Sequence, residues 1–379
     1  MEVNNSSIDS LIAILNHLKK IFVSKDDVID LMGICLVGRE NLFLFGPPGT
    51  AKSAMVKELS KLLKGKTFEY LLTRFTEPNE LFGPFDIRKL REGELITNTN
   101  GMLPEANLVF LDELLNANSA ILNSLLMILN EKVFRRGHET KDLPVLMIVG
   151  ASNHLPEDDA LQALFDRFLI RVHCDYVEPS LLNDVLDSGW NLEKKELSSD
   201  INISTEEIFE LQKKVVTIDI KEIRTKYIEL IEKLRNAGIK ISDRRAVKLQ
   251  RLIASSALIC KREKAILSDM WVLRYIWDTR EQKEIIESIV NSIIFENNKE
   301  EKSHPRAFIN NSPDPDEIYK EINNLKEKWE SNNITIAEKS IIKDRLRYLT
   351  GRSDWITNQT QNLYIKEALD EFWKKIIQE

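Results

Sequence analysis

The architecture of this chain is set by one stretch, which reads Leu42-Phe43-Leu44-Phe45-Gly46-Pro47-Pro48-Gly49-Thr50-Ala51-Lys52-Ser53. Its four apolar residues predict a short buried strand, and the glycines and prolines that follow predict a turn. The Lys-Ser pair then opens an amphipathic helix with apolar positions at Met55, Leu59, Leu62 and Leu63. A strand, a glycine-containing loop and a helix in this order predict a site for a polyanion, because loop N–H groups and a helix N-terminus attract negative charge.

The motif assigns roles to the last residues of this loop. Lys52 would reach the β- and γ-phosphates of a nucleoside triphosphate, and the Ser53 hydroxyl would bind Mg²⁺. The loop departs from the regular motif once, because Ala51 stands in place of the second glycine. We expect alanine to be tolerated there, since a residue that enters a helix should have a right-handed backbone. The alternative interpretation is a strand, turn and helix that bind no ligand.

A second apolar strand ends in two acids. Residues 108–111 are apolar, and Asp112 and Glu113 follow them directly. Ligands of open α/β sheets bind at the carboxyl ends of the strands. Asp112 would therefore hold Mg²⁺, directly or through water, and Glu113 would orient and polarise the attacking water. Such a run also occurs by chance, but its position downstream of a phosphate loop favours the functional interpretation.

Two more residues fit phosphoryl transfer. Asn153 follows the buried strand that begins at residue 145, where it could hold the lytic water; the alternative is an ordinary turn asparagine. Arg167 follows a predicted helix over residues 159–165, where it could project from the surface. An arginine presented to a neighbour's γ-phosphate stabilises the charge of the transition state. The alternative for Arg167 is an ion pair with Asp166 or another nearby acid.

Other arginines are candidates for phosphate contact. Arg244 lies in the first turn of a predicted helix, where a cation opposes the helix dipole. A bound phosphate would offset that cost, which modestly favours a functional role. Arg135 and Arg136 could reach a neighbour's phosphate, but a solvated turn is the preferred interpretation of this pair.

Composition bounds the class of protein. The chain has 379 residues, of which 43% are hydrophobic and 30% charged, so two or three globular domains are expected. The net charge of −7 gives no support to a general nucleic-acid surface, so nucleic acid is not the expected partner. The polar start and the lack of a long apolar run predict neither a signal peptide nor membrane insertion. Three widely separated cysteines indicate a reduced, cytoplasmic protein.

The predicted elements divide the chain into segments. Residues 1–175 form an α/β domain, in which residues 74–98 are either an exposed connection or a loop that faces a substrate. Residues 87–90 and 94–97 in that segment are predicted to form a hairpin. The expected order beyond this domain is a linker at 176–203, a helical domain at 204–295, a linker at 296–314 and a helical domain at 315–379.

The motifs in order resemble those of AAA+ ATPases. They are the phosphate loop, Asp112-Glu113, Asn153, Asp166-Arg167 and Ser242-Asp243-Arg244-Arg245. The chain looks most like the MoxR family and, within it, the RavA-like branch. The closest stretches are residues 46–53 with their Ala51, residues 73–78 and residues 151–156, and the resemblance spans about residues 10–295.

The resemblance implies a fold and a set of roles. The fold is an α/β P-loop NTPase core with a five-stranded parallel sheet between helices, followed by an all-helical lid and a helical C-terminal segment. Residues 46–53 would be Walker A and Asp112-Glu113 would be Walker B. Asn153 would be sensor 1, Arg167 the arginine finger and Arg244 sensor 2, with Arg245 as the neighbouring alternative. Residues 74–98 would be a helix-2 insert that faces a central pore.

The resemblance also implies an activity. The chain would be a Mg²⁺-dependent ATPase that assembles as a hexameric ring and remodels or activates a protein client. In that mechanism Lys52, Mg²⁺ and Arg244 hold the phosphates of ATP in cis, and Arg167 reaches across in trans. The expected partner carries a von Willebrand factor A domain on a separate chain, because no Asp-x-Ser-x-Ser occurs here. Residues 296–379 are too short and too helical for the β-rich domain of RavA itself. The alternatives are a nucleic-acid translocase and a nucleotide-gated scaffold with little hydrolysis.

Overall fold

The computed structural model describes residues 5–136, 139–156, 159–177, 181–194, 201–296, 303–308, 315–330, 336–353 and 359–378. The strands are β1 (Leu42–Phe45), β2 (Leu63–Lys64), β3 (Thr67–Leu71), β4 (Leu108–Asp112), β5 (Val133–Arg136), β6 (Glu139–Asp142), β7 (Met147–Ser152), β8 (Ile170–His173) and β9 (Ile203–Ser204).

The central layer is a five-stranded sheet in the order β3-β4-β7-β1-β8. All of its neighbouring strands are parallel, with Leu42 opposite Val149 on one side and Ile170 on the other. Strands β1 and β7 are buried along their whole length, which their continuous apolar sequence predicts for a sheet covered on both faces. The predicted five-stranded parallel core is therefore confirmed, and the carboxyl ends of its strands share one edge.

The described residues of the α/β core and the lid also form twelve α-helices. They are α1 (Asn5–Ile21), α2 (Asp26–Gly38), α3 (Lys52–Leu62), α4 (Pro78–Phe82), α5 (Ile87–Arg91), α6 (Ser119–Glu131), α7 (Asp159–Phe165), α8 (Leu182–Glu193), α9 (Thr205–Val215), α10 (Arg224–Asn236), α11 (Asp243–Ile259) and α12 (Arg280–Ile294). A 3₁₀ segment at Leu267–Tyr275 joins α11 to α12. Helix α11 packs along α2, so the predicted helical lid lies against the helix that precedes β1.

The structure corrects two local predictions. Residues 87–91 form α5 instead of the first strand of a hairpin, because the Asp86 side chain accepts hydrogen bonds from the N–H groups of Arg88 and Lys89 and caps a helix. An isolated antiparallel bridge between Phe85 and Thr97 closes the segment. The predicted linker at 176–203 contains α8 and also β9, which pairs with β2.

The chain divides into two compact units, residues 1–307 and 308–379. The division falls inside the predicted linker at 296–314, whereas the α/β core and the lid belong to one unit. The second unit contains α13 (Pro315–Trp329), α14 (Ile336–Ser353) and α15 (Gln359–Gln378). Its own core includes Ile318, Trp329, Leu346 and Phe372, so the predicted helical C-terminal segment is confirmed.

None of the helices in the described part of the chain has both the length and the apolar character that crossing a membrane requires.

Candidate functional site

The phosphate loop leaves β1 through a glycine that has no room for a side chain. Gly46 has a φ of +152°, and a Cβ there would lie 2.1 Å from the carbonyl oxygen of Cys174. Gly49 has a φ of +80°, but a Cβ there would meet no atom within 4 Å. Glycine is required at position 46 because the chain after β8 leaves no room for a Cβ. At position 49 glycine is favoured by the positive φ alone.

The Lys52 ammonium lies inside the loop. Its Nζ donates to the carbonyl oxygens of Gly46 and Pro47, each at 2.8 Å, and the residue is 9% exposed. Thr50 closes the turn by donating from Oγ1 to the Pro47 carbonyl at 2.9 Å. A nearly buried positive charge at the N-terminus of α3 is an arrangement that attracts a polyanion.

Ala51 does not have the right-handed backbone that the sequence analysis expected. Its φ is 64° and its ψ is 17°, which is the left-handed region. That expectation is wrong because the loop turns back before α3 begins at Lys52, and the turn requires a positive φ at the preceding residue. For an L-residue with a Cβ the left-handed conformation costs roughly 1–2 kcal/mol.

Ser53 and Asp112 meet although they are far apart in sequence. The Ser53 hydroxyl donates to Oδ2 of Asp112 at 3.1 Å. Ser53 lies in the first turn of α3 and Asp112 ends β4, so the parallel sheet brings both to one edge. Mg²⁺ prefers oxygen ligands and usually takes few from the protein, with water and substrate phosphates as the others. The hydroxyl and the carboxylate therefore fit the magnesium site that was predicted for them.

Glu113 combines backbone strain with an unpartnered oxygen. Its φ is 49° and its ψ is 41°, and its N–H donates to Oδ1 of Asp112 at 3.0 Å. Its Oε2 is buried and has no hydrogen-bond partner. Both features are uncommon and concentrate at functional sites. They agree with the predicted role of Glu113 as the group that acts on water.

Asn153 is placed between the acids and the phosphate loop. It directly follows β7, which lies between β4 and β1 in the sheet, so it lies between Glu113 after β4 and Gly46 after β1. Its side chain is exposed. A role for His154 was not predicted, yet its Nε2 lies 3.2 Å from Oδ1 of Asn116. This contact joins the loop after β7 to the loop after β4, and no local pattern predicts it.

Arg167 lies at the opposite, amino edge of the sheet. It occupies the turn between α7 and β8, and its Nη1 donates to Oδ2 of Asp166 at 2.9 Å. The pair with Asp166 that was left open as an alternative is therefore present in the single chain. The side chain is 27% exposed, and its Nε is buried without a hydrogen-bond partner.

Arg244 also lies at the amino edge. Its Nη2 donates to Oδ1 of Asn130 at 2.9 Å, at the end of α6. The preceding carbonyl, that of Leu129, accepts from the side chain of Asn41 at 3.1 Å, and Asn41 directly precedes β1. Gly46 leaves the other end of β1, about 16 Å away at about 3.3 Å per residue. The expectation that Arg244 holds the phosphates of its own chain is therefore wrong for this arrangement.

The packing of α11 explains this placement. Lys248 of α11 pairs with Glu40, just before β1, at 3.3 Å. Further along α11, a Cβ on Gly38 would lie 3.1 Å from the Ser255 hydroxyl, so the two helices are in close contact there. Helix α11 therefore begins at the amino edge and runs along α2.

Arg245 has a different environment. It is 4% exposed and its Nη1 donates to Oδ1 of Asp278 at 3.2 Å. Arg171 of β8, which is fully buried, donates to the same oxygen at 2.6 Å. Burial, with the neighbouring Arg245 charge, lowers the pKa of Arg171 to about 9. Asp278 thus joins the lid to the sheet through Arg171 and also holds Arg245 within the lid, which makes Arg245 a structural residue and leaves Arg244 as the exposed one.

The side chains that approach the phosphate loop from outside differ from those predicted. The Tyr176 hydroxyl donates to the Pro48 carbonyl at 3.2 Å. Lys25 is nearly buried and donates to the carbonyl of Asp175. The guanidinium of Arg280, in lid helix α12, lies 4.8 Å from the ring centre of Phe45, the last residue of β1. The lid thus presents Arg280, and not Arg244, beside the strand that carries the loop.

Arg135 and Arg136 do not share one role. Arg135 pairs with Glu131 at 3.3 Å on the surface. Arg136 donates to the Gly83 carbonyl and to Oδ1 of Asn79, both at 2.7 Å, and lies over the Phe85 ring. Arg136 therefore holds β5 to the 74–98 segment. This role is neither of the two that were considered for it, a solvated turn and a phosphate contact.

Comparison with known proteins identifies two sequence families. Residues 9–213 match the MoxR domain in the MoxR-vWA-beta-propeller ternary systems, and residues 215–290 match an AAA lid domain. Two proteins of Methanocaldococcus jannaschii are similar over most of the chain. Uncharacterized protein MJ0812 is 33% identical over 304 residues, which cover 74% of this chain and 80% of that protein. Uncharacterized protein MJ0079 is 31% identical over 366 residues, with 94% and 93% covered.

Two further comparisons concern part of the chain. Chaperone MoxR1 of Mycobacterium tuberculosis is 25% identical over 174 residues, which cover 45% of each protein. The crystal structure of a candidate ATPase from Cytophaga hutchinsonii superimposes with a TM-score of 0.62 at 20% identity. It covers 75% of this chain and 94% of the other. At that identity the structural likeness supports the fold alone.

Proposed function

Because this chain belongs to the MoxR family of AAA+ ATPases, we propose that it hydrolyses ATP with Mg²⁺ at a site completed by a neighbouring copy. The observation that carries the proposal is the 3.1 Å contact between Ser53 and Asp112, with the unpartnered Oε2 of Glu113 beside it. A metal ligand pair next to a free carboxylate oxygen is what phosphoryl transfer to water needs.

Within one subunit, each residue has one task. Lys52 would neutralise charge on the β- and γ-phosphates. Ser53 and Asp112 would hold Mg²⁺, which would supply further positive charge to the phosphates. Glu113 accepts a proton from water as that water attacks the γ-phosphorus, and the bond from phosphorus to the β-phosphate oxygen breaks. Asn153 keeps the water in line. The products are ADP and phosphate.

The arginines of the amino edge act on the next subunit. Arg167 and Arg244 both lie at the edge opposite their own phosphate loop, and both are at least partly exposed. In a ring, the amino edge of one subunit would face the carboxyl edge of the next. Arg167 would then serve as the arginine finger, and Arg244 as a sensor 2 that works in trans and not in cis.

The proposed assembly is a hexameric ring that remodels a protein client. The description of the matching family supports partners that contain a von Willebrand factor A domain and a β-propeller. The 74–98 segment would contact the client, which the 90% exposure of Phe75 and the 68% exposure of Ile87 support. The RavA-like branch stays a proposal that rests on residues 46–53 with their Ala51, residues 73–78 and residues 151–156, since the family description does not name that branch.

Replacement of the proposed base tests the activity. We expect Glu113→Gln to bind ATP like the wild type and to turn it over at least about 100-fold more slowly, which is the usual contribution of a general base. The matched control is Glu58→Gln, which removes an acid of α3 that pairs with Lys61 on the same helix. Steady-state phosphate release and equilibrium ATP binding are the measurements. Undiminished turnover in Glu113→Gln would remove the assignment.

A mixing experiment tests the trans arginines. Lys52→Ala and Arg167→Ala subunits should each be inactive alone. A mixture should regain part of the activity, because some sites combine an intact Lys52 with an intact neighbouring Arg167. If the mixture stays as inactive as its components, Arg167 does not act in trans.

A further inference from the structure

Asn41 is a buried amide at which three segments meet. It directly precedes β1 and is 1% exposed. Its Nδ2 donates to the carbonyl oxygens of Leu129 and Arg167, each at 3.1 Å. Its Oδ1 accepts from the ammonium of Lys132. An asparagine amide has two N–H donors, so both are used here.

The contact with Arg167 involves the main chain of a short turn. That turn runs from the end of α7 at Phe165 to Phe168, whose N–H donates to the Phe165 carbonyl at 3.0 Å. The Arg167 side chain forms an ion pair with Asp166, its exposed neighbour in the chain. Both partners of this ion pair belong to the same turn, so the position of the guanidinium depends on the main chain of that turn, and Asn41 holds the carbonyl of Arg167 itself.

The second hydrogen bond donated by the Asn41 side chain supports Arg244. Leu129, whose carbonyl Asn41 holds, is followed by Asn130, and Asn130 accepts the hydrogen bond of Arg244. On the same side, Glu40 pairs with Lys248 of the helix that carries Arg244. One side chain thus fixes the supports of both arginines at the amino edge.

We propose that Asn41 is a positioning residue for the neighbour-facing arginines, and that it acts on the active site of the next subunit and not on its own. The inference rests on the proposed trans role of Arg167. Its direction follows from the geometry, because Asn41 lies at the amino end of β1 while the phosphate loop leaves the carboxyl end.

Mixed rings test this direction. We expect Asn41→Ala alone to hydrolyse ATP roughly 10- to 100-fold more slowly than wild type, since a displacement of about 1 Å in a contributing group can have such an effect. Mixing with Lys52→Ala should restore part of the activity, because the Lys52→Ala subunits supply an intact Arg167. Mixing with Arg167→Ala should restore none, because both variants fail at the same face.

Asn107 offers a matched control. It directly precedes β4 at the same edge, its Nδ2 donates to the Pro144 carbonyl at 3.0 Å, and its Oδ1 accepts from the N–H of Lys66 at 2.9 Å. Asn107→Ala removes comparable bonds without touching the Arg167 turn. Its turnover should stay within about threefold of wild type, because large losses of rate require the displacement of a catalytic group and this substitution displaces none.

The outcomes separate the two proposals. If Arg167→Ala and Lys52→Ala fail to complement each other, the trans role falls, and the Asn41 inference falls with it. If they do complement, the inference is overturned by any of three results: wild-type turnover in Asn41→Ala, no recovery with Lys52→Ala, or recovery with Arg167→Ala. Should Asn41→Ala not fold, Asn41→Ser replaces it. Hydrogen exchange of residues 164–169 must then also be faster than in Asn107→Ala, and equal exchange overturns the inference.

Discussion

Ala51 and Glu113 are non-glycine residues whose backbone is in the left-handed region. Ala51 directly precedes the phosphate-binding helix, and Glu113 directly follows β4. Each conformation costs roughly 1–2 kcal/mol in an isolated L-residue. At Glu113 the strain aims a carboxylate whose Oε2 has no partner, so strain and chemistry coincide. At Ala51 no side-chain function accompanies the strain, so glycine should be the better residue there for stability.

Replacement of Ala51 by glycine is therefore expected to stabilise the protein. The free energy of unfolding should rise by about 1 kcal/mol, because the relieved strain exceeds the entropy that glycine loses on folding. ATP affinity should change less than about threefold, since the loop keeps its shape. Urea denaturation and equilibrium ATP binding are the measurements.

The control for this change is Gly49→Ala. It places a Cβ at a φ of +80° with no atom within 4 Å, so it introduces conformational strain without a clash. Its free energy of unfolding should fall by about 1 kcal/mol, because the added strain exceeds the entropy that alanine saves on folding. If both substitutions lower stability, the left-handed conformation of Ala51 is not strained in solution.

At the scale of elements, helix packing decided the position of the arginines. The sequence correctly predicted that a helix starts at Ser242, whose Oγ accepts from the N–H of Arg245. It could not indicate which edge of the sheet that start would reach. The same edge holds an unusual lysine, because Lys132 directly follows α6 and its ammonium is buried beside Asn41 and Glu40.

The buried ammonium should make stability depend on pH. Burial lowers the pKa of Lys132 to about 7, against about 10.4 in an unfolded chain. Between these values the folded protein has lost a proton that the unfolded chain keeps, so the free energy of unfolding should rise with pH. From pH 7 to pH 9 this contribution should be about 2 kcal/mol, and Lys132→Met should remove it.

Urea denaturation of both proteins at the two pH values measures the effect. Other groups titrate in the same range, so the quantity of interest is the difference between wild type and variant. Lys61→Met is the control, because that lysine is 66% exposed and its removal should leave the pH dependence unchanged. Equal pH dependence in wild type and Lys132→Met would show that Lys132 stays charged when the protein folds.

At the scale of the whole molecule, the chain forms two compact units that divide after residue 307. The residues with proposed roles in phosphoryl transfer all lie in the first unit. The second unit has a separate core, which includes Ile322, Leu349 and Leu369. The match to the MoxR domain and the lid also ends before the second unit, at residue 290.

A fragment of residues 1–307 should therefore keep the ATPase activity of the full chain within about twofold, because no residue of the site and no part of the first core is removed. The fragment of residues 308–379 should show helical circular dichroism on its own. Phosphate release and thermal melting of both fragments are the measurements. Loss of more than about tenfold in turnover by a folded first fragment would contradict the independence of the units.

The local sequence determined the elements and the carboxyl edge of the site. Apolar runs, a glycine-containing loop and two acids after a strand depend on residues close in sequence, and parallel strands necessarily bring Ser53, Asp112, Glu113 and Asn153 to one edge. Tertiary packing alone decided the amino edge. The packing of α11 against α2 places Arg244 at the edge opposite its own phosphate loop. The hydrogen bond to Asp278 gives Arg245 a structural role. Asn41 gained its partners from segments 88 and 126 residues away, which no local pattern can specify.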